Sequence, residues 1–372
     1  MPAADRTTPS IHSSSRPSPL RTLGLTAAVL TGAAAGAAAL WTARNTFHAR
    51  IARTACERAG FVDRTTMVNG HGLRFVEGPA SGPPLLLIHA QSTDLWSWAP
   101  VMPALARDFH VFAIDVPGHG ASDWDPELYN GPVLGELFAD FIAGVIGEQT
   151  IIAGHSSGGL IAAWMAAARP DEVVAAILED PPLFSSVPPR SEATWNHVEL
   201  AQPCRDFLAS DAADFTEFLL EHSRLFDLFG PAGERIRTDA LRRRRAHRDR
   251  PPTLPYMPPA MNEVYRALDS YDPMFGLAFF DGAFHDLFDH ADTLSAISRP
   301  TLLIHCDWQT RDGILLGAMD DADAARAEML IPDVRAERVA AGHGFHIERP
   351  REFVQRVRAF TRDVVGEVDL LE

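Results

Sequence analysis

Gly154-His155-Ser156-Ser157-Gly158 constrains this chain more than any other stretch. It follows an apolar run over residues 150–153 and precedes a helical pattern over 160–168. A strand that becomes a helix within so few residues must turn sharply. Ser156 at the apex is then held in a strained backbone conformation, with its hydroxyl pushed into the open. Glycines at 154 and 158 carry no Cβ, so neighbouring elements can pass close to the turn. The helix start behind the serine aims backbone N–H groups at an anion. The pattern therefore predicts a positioned nucleophile, with a Ser/Gly turn that merely caps a helix as the plain alternative.

Around this turn the chain alternates strands and helices. Short strands are expected at 67–68 and 73–76, then a buried strand at 84–89, a helix at 96–106, a strand at 110–116 and a helix at 133–146. A strand at 173–179 follows the helix after Ser156. The alternation resumes with a strand at 301–305, a helix at 321–330, a strand at 336–340 and a closing helix from about Pro350. Near-continuous apolar strands separated by helices predict an α/β fold, with a mostly parallel central sheet covered by helices on both faces. Residues 181–298 break the alternation. They hold aromatics on helical patterns (Trp195, Phe207, Phe226, Phe279, Phe280, Phe284, Phe288), the run Arg242-Arg243-Arg244-Arg245 and a Pro-rich link over 251–259. The arginine run reads as a solvated helix face before it reads as a phosphate or lipid site.

Residues 114–123 read IDVPGHGASD, and a late Gly342-His343 precedes Glu348-Arg349-Pro350. With these motifs and the Ser156 turn, the chain resembles the α/β-hydrolase fold superfamily from about residue 73 to 365, interrupted by the insert. The motifs identify the superfamily and name no substrate. The resemblance implies a core over 60–180 and 299–366 and a helical cap over 181–298. Such a cap makes an apolar pocket and excludes water. It also implies Ser156 as nucleophile and His343 as base, with His346 as competitor for that role and His155 as a structural residue behind the turn. A serine hydroxyl needs such a base to become nucleophilic. The oxyanion hole would take the backbone N–H of Ser157 and that of Gln91, in His89-Ala90-Gln91, where many relatives carry Gly in place of Ala90.

The acid stays open at this level. Many relatives carry it shortly after the strand at 301–305, where this chain reads Cys306-Asp307-Trp308-Gln309 and puts Gln309 at the expected place. Other members use the end of the strand after the Ser156 helix, here Glu179-Asp180-Pro181-Pro182. Asp180 lies 24 residues after Ser156, a spacing that suits one helix and one strand. Asp180 is favoured; Asp307, Asp312 and Glu179 are the alternatives.

The chain has 372 residues, 46% of them hydrophobic, enough for a full core. A net charge of −16 disfavours nucleic acid as a partner. Cys56, Cys204 and Cys306 are widely spaced and suggest neither a disulfide framework nor a zinc site. Residues 1–22 are rich in Ser, Pro, Thr and Arg and are expected to be disordered. Residues 23–41 are uncharged and close to the roughly 20 residues that span a bilayer. They are read first as an N-terminal hydrophobic helix that anchors the protein in a membrane. A cleaved signal peptide that would leave the protein secreted, and a buried Ala-rich helix, compete with that reading. The expected activity is hydrolysis of a small-molecule carboxylic ester, lactone or thioester with an apolar group, through an acyl-enzyme, with no cofactor and no metal. Its rivals are a carbon–carbon bond hydrolase or perhydrolase with the same triad, and a non-catalytic binding protein. Mechanisms that need an aspartate nucleophile are disfavoured by Ser156.

Overall fold

A computed structural model describes residues 19–368 of the chain, which divides into two compact units, 1–44 and 45–372. The larger unit holds an eight-stranded sheet. Its strands are β1 (Val62–Val68), β2 (His71–Glu77), β3 (Pro84–Ile88), β4 (His110–Ile114), β5 (Thr150–His155), β6 (Val173–Glu179), β7 (Thr301–His305) and, after a two-stranded hairpin of β8 (Gln309–Arg311) and β9 (Ile314–Leu316), β10 (Val334–Arg338). The spatial order is β1-β2-β4-β3-β5-β6-β7-β10. β1 and β2 join antiparallel at one edge, and every pair from β4 to β10 is parallel.

The central strands are buried on both faces, which is why they read as unbroken apolar runs. Leu86, Ile88 and Ile152 point into one core with Phe112 and Leu160. Leu85, Leu87 and Ile151 point into the other with Trp98, Phe345 and Phe353. The two-residue period of a strand divides neighbours between the cores. The strand-to-helix alternation predicted from sequence is present, with two differences. The stretch 96–106 forms two short pieces, Leu95–Trp98 and Met102–Leu105, in place of one helix. The β8–β9 hairpin was not anticipated, because each arm is only three residues long.

Between β6 and β7 the described residues form helices and turns, including Gln202–Leu208, Phe215–His222, Gly233–Ala246, Pro259–Arg266 and Pro273–Asp281. The arginine run lies on Gly233–Ala246 and is taken up in ion pairs within this insert. Arg244 is buried between Asp214 (3.0 Å) and Asp269 (2.7 Å), Arg245 reaches Glu217 and Glu221, and Arg242 and Arg243 reach Asp239.

The N-terminal helix is Pro19–Arg58. Its residues from 45 onward belong to the larger unit: Asn45 donates to the Pro255 carbonyl at 3.1 Å, His48 pairs with Glu263 at 2.8 Å, and Cys56 is buried. The core thus begins ahead of residue 60. Among the described residues no helix is long and apolar enough to cross a membrane. The side chains of residues 20–35, most of the segment expected to span a membrane or serve as a signal at 23–41, lie outside the described residues. Of the terminal stretch expected to be disordered, residues 1–18 lie outside the described residues.

Candidate active site

Ser156 stands between β5 and the helix Ser157–Ala168, at φ 54° and ψ −119°. A non-glycine residue held at positive φ costs roughly 1–3 kcal/mol and persists only where its surroundings impose it. The surroundings here are close backbones. A Cβ on Gly154 would lie 2.1 Å from the Gly158 carbonyl oxygen, and one on Gly158 would lie 2.4 Å from the Ile88 oxygen and 2.6 Å from that of His89. Both positions therefore require glycine.

His343 lies in the loop between β10 and the short helix Phe345–Glu348 and is exposed. Its Nδ1 is 2.7 Å from Asp180 Oδ2. Asp180 directly follows β6, at φ 45°, and is almost wholly buried. Its other oxygen accepts from the Cys306 N–H at 3.1 Å and has His305 Nδ1 at 3.7 Å. Burial alone would raise the Asp180 carboxyl, but these donors hold it below the usual carboxylate range. Although one side of the ring meets solvent, the protein packed around the rest would lower His343, and the bond and charge of Asp180 outweigh that and raise it.

The other candidate acids lie elsewhere. Asp312 is exposed in the turn between β8 and β9, beside Arg311. Asp307 lines the adjoining cavity, and Gln309 begins β8. Among the described residues neither aspartate is hydrogen-bonded to His343. Glu179, one residue before Asp180, accepts from both the N–H and the Nδ1 of His346 at 2.8 Å. His346 is fully buried and stacks on Trp98 with ring centroids 4.0 Å apart. His155 uses Nε2 on the His343 carbonyl at 2.8 Å. Among the described residues, His155, Glu179 and His346 are the one group that gathers metal-ligating side chains, with ligand atoms within 4.8 Å of one another. Hydrogen bonds join Glu179 to His346 and His155 to the His343 backbone, while His155 Nδ1 and His346 Nε2 have no partner among the described residues.

Sequence reasoning missed that the strand end that often carries the acid here supplies a donor to it, the Cys306 N–H. It also missed two buried histidines under the loop after β3. His89 Nε2 accepts from the Val116 N–H at 2.9 Å, and His119 Nε2 accepts from the Ser92 N–H at 3.1 Å. Burial holds His89 at about 4 and His119 well below its ordinary value, so both stay neutral acceptors. Their sequence signal was their place, at the end of β3 and inside the 114–123 motif. In that motif Asp115 accepts from the Leu95 and Ala121 N–H groups at 2.9 and 3.0 Å.

Ala90 does not take the left-handed conformation; Ser92 does, at φ 59°. Substituting Ala for Gly at 90 is thus free of strain. The Gln91 N–H donates to Ser157 Oγ at 2.8 Å, and the Gln91 side chain donates to the Tyr271 hydroxyl at 2.8 Å.

A cavity of about 520 Å³ opens over these residues. Gln91, Ser156, Ser157 and His343 line it from the core; Trp195, Leu200, Leu225, Met261 and Phe279 line it from the insert. Glu199, Glu263, Asp307 and Glu348 also face it. Among the described residues no arginine does, and the chain contains no lysine.

The sequence profile of the α/β hydrolase fold matches residues 83–350. A pimeloyl-[acyl-carrier protein] methyl ester esterase of Chromobacterium violaceum is 30% identical over 173 residues, 45% of this chain and 62% of its own length. The esterase of the same name from Aeromonas hydrophila is 32% identical over 104 residues, 26% of this chain and 37% of its own. The chain thus spans less than two thirds of these relatives. The crystal structure of a membrane phospholipase A, described as a bacterial virulence factor, superposes with a TM-score of 0.58 at 23% identity, covering 93% of this chain and 98% of that one. That likeness concerns the fold. The profile match runs from β3 through the Ser156 turn to the loop of His343, and the sheet is mostly parallel as expected: this chain belongs to the α/β hydrolase fold family.

Proposed function

We propose that the protein is a serine hydrolase that cleaves an uncharged carboxylic ester, lactone or thioester through an acyl-enzyme, with Ser156 as nucleophile, His343 as base and Asp180 as acid. The observation that carries this reading is the 2.7 Å contact between His343 Nδ1 and the buried Asp180 carboxylate, in a cavity whose wall includes the strained Ser156. Asp180 keeps the proton on Nδ1, which leaves Nε2 as the base. Ser156 Oγ attacks the carbonyl carbon and gives its proton to Nε2. The carbonyl electron pair moves onto oxygen. On collapse the alcohol or thiol leaves with the proton from His343. A water molecule then repeats the sequence and releases the acid.

The cavity supports the substrate class. Its aromatic and aliphatic wall suits an apolar group. Asp307 and Glu348 on its wall, with no arginine among the described lining residues, disfavour an anionic acyl chain. The two relatives named as methyl ester esterases point to the same bond type.

A fluorophosphonate probe should label the wild type and not Ser156→Ala, and Ser156→Ala should lose turnover of p-nitrophenyl esters down to the residue left by binding and the oxyanion hole. Turnover near wild-type in that variant would sink the mechanism. Across the ester panel, longer neutral acyl groups should gain in kcat/KM over acetate, and a flat response would mean the aromatics serve only packing.

In the same proposal the uncharged segment 23–41 anchors the protein in a membrane by a single N-terminal pass. Sedimentation with membranes that is lost on removal of residues 1–44 is the expected result. A mature N-terminus near Leu40 would instead establish a signal peptide and a secreted enzyme.

A further inference from the structure

We infer that the side-chain hydroxyl of Ser157 is the second donor of the oxyanion hole, with the Gln91 N–H acting through it. This rests on Ser156 being the nucleophile. An oxyanion hole needs two donors about 2.7–3.1 Å from the charged oxygen. The first is the Ser157 N–H. As the first residue of its helix it has no carbonyl four residues back to bond. The second would ordinarily be a backbone N–H from the loop after β3. In this chain that N–H, on Gln91, is already directed at Ser157 Oγ at 2.8 Å.

The hydroxyl can pass the interaction on. Ser157 Oγ has one proton and two lone pairs. One lone pair receives the Gln91 N–H. Among the described residues its proton enters no hydrogen bond to a protein acceptor, and Ser157 lines the cavity although it is 3% exposed. A hydroxyl that accepts one bond donates a stronger one. Rotation about Cβ–Oγ lets its proton meet the oxygen on which the carbonyl pair lands. Ser157 would then grip the oxyanion through N–H and O–H together. Gln91 is held in place behind it by its own bond to Tyr271 at 2.8 Å. As the Ser156 Oγ–carbon bond forms, both donors keep their protons. When the intermediate collapses, the pair returns to the C=O bond and the grip relaxes.

The test uses the full chain, well below the melting temperature of each variant. Ser157→Ala removes the hydroxyl and retains the backbone N–H. kcat for a p-nitrophenyl ester should fall on the order of 10²–10³-fold with KM little changed, the loss seen when one oxyanion donor is removed. Affinity for phenylboronic acid, whose adduct with a serine carries an oxygen at the oxyanion position, should weaken in parallel. Fluorophosphonate labelling of Ser156 should slow but persist. An unchanged or increased kcat in Ser157→Ala would overturn the inference, since the Gln91 N–H would then act directly once the hydroxyl is gone. That result leaves the nucleophile reading intact as long as the wild type is labelled and Ser156→Ala is not. Loss of this labelling difference would instead remove both.

Discussion

Ser156 and Asp180 share a conformational cost: both are non-glycine residues at positive φ, 54° and 45°, at the ends of adjacent strands. Strain at two neighbouring positions is kept where the surrounding fold over-determines them, and here it sets Asp180 against His343 and Ser156 on the cavity wall. The pair has a pH signature. A base works only when neutral, and His343 is raised above its ordinary value of 6.5. The acid limb of kcat/KM should therefore fall with a midpoint above 6.5. In Asp180→Asn that midpoint should move down and kcat should drop on the order of 10⁴-fold, because the amide supports the wrong imidazole tautomer. Asp307→Asn should cost far less; the reverse ranking would move the acid to Asp307. For stability the signs oppose. The raised His343 contributes below its unfolded pKa and loses that contribution as pH rises through the folded value. The lowered Asp180 contributes above its unfolded pKa and loses it as pH falls through the folded one. The pair is thus fully stabilising between about 4 and 6.5.

At the scale of elements, the insert is tied to the loop that carries Gln91. Arg266, at the end of the helix Pro259–Arg266, donates to both oxygens of Asp94 at 2.6 and 2.8 Å and to Glu263 at 2.6 Å. Asp94 in turn caps the Leu95–Trp98 turn. Burial would raise the Asp94 carboxyl, and Arg266 holds it at about 2. Removing one partner of such a pair leaves a buried charge uncompensated, which costs about 3–5 kcal/mol. Arg266→Ala should lose that much in denaturant unfolding, and a loss under about 1 kcal/mol would show that the pair is screened. Nothing in the sequence marked Arg266 or Asp94 as partners, because 172 residues separate them.

For the whole molecule, the boundary that matters lies at 44/45. Residues 45–58 supply the Asn45 bond to Pro255, the His48–Glu263 pair, buried Cys56 and Arg53 over the Trp96 ring at 4.4 Å. A chain beginning at Asn45 should keep the melting temperature and turnover of the full chain. One beginning at Gly60 should melt several degrees lower, since those contacts go with the deleted turns. Equal melting temperatures for the two would show that residues 45–58 contribute nothing to the core. The sequence placed this boundary near 60 because residues 45–58 carry no strong apolar stripe; their burial comes from partners far along the chain, in the insert and beside Trp96.

The local signals were sufficient for what is local. Strand runs, the two glycines around Ser156 and the 114–123 motif each encode a short-range geometric demand, and together they determine an α/β sheet with a serine at the β5 turn. The resemblance to the superfamily narrowed the candidate acid to four carboxylates, and the spacing from Ser156 favoured Asp180 without deciding among them. Only the tertiary structure brings Asp180, and not Asp307 or Asp312, to 2.7 Å from His343, commits Glu179 to His346, and turns the end of β7 into a donor for Asp180. The same holds for Gln91 and Ser157. Their N–H and hydroxyl meet across 66 residues of chain because β3 and β5 are neighbours in the sheet. Side-chain pairing between distant segments depends on which strands lie side by side, and that order is a property of the packed sheet.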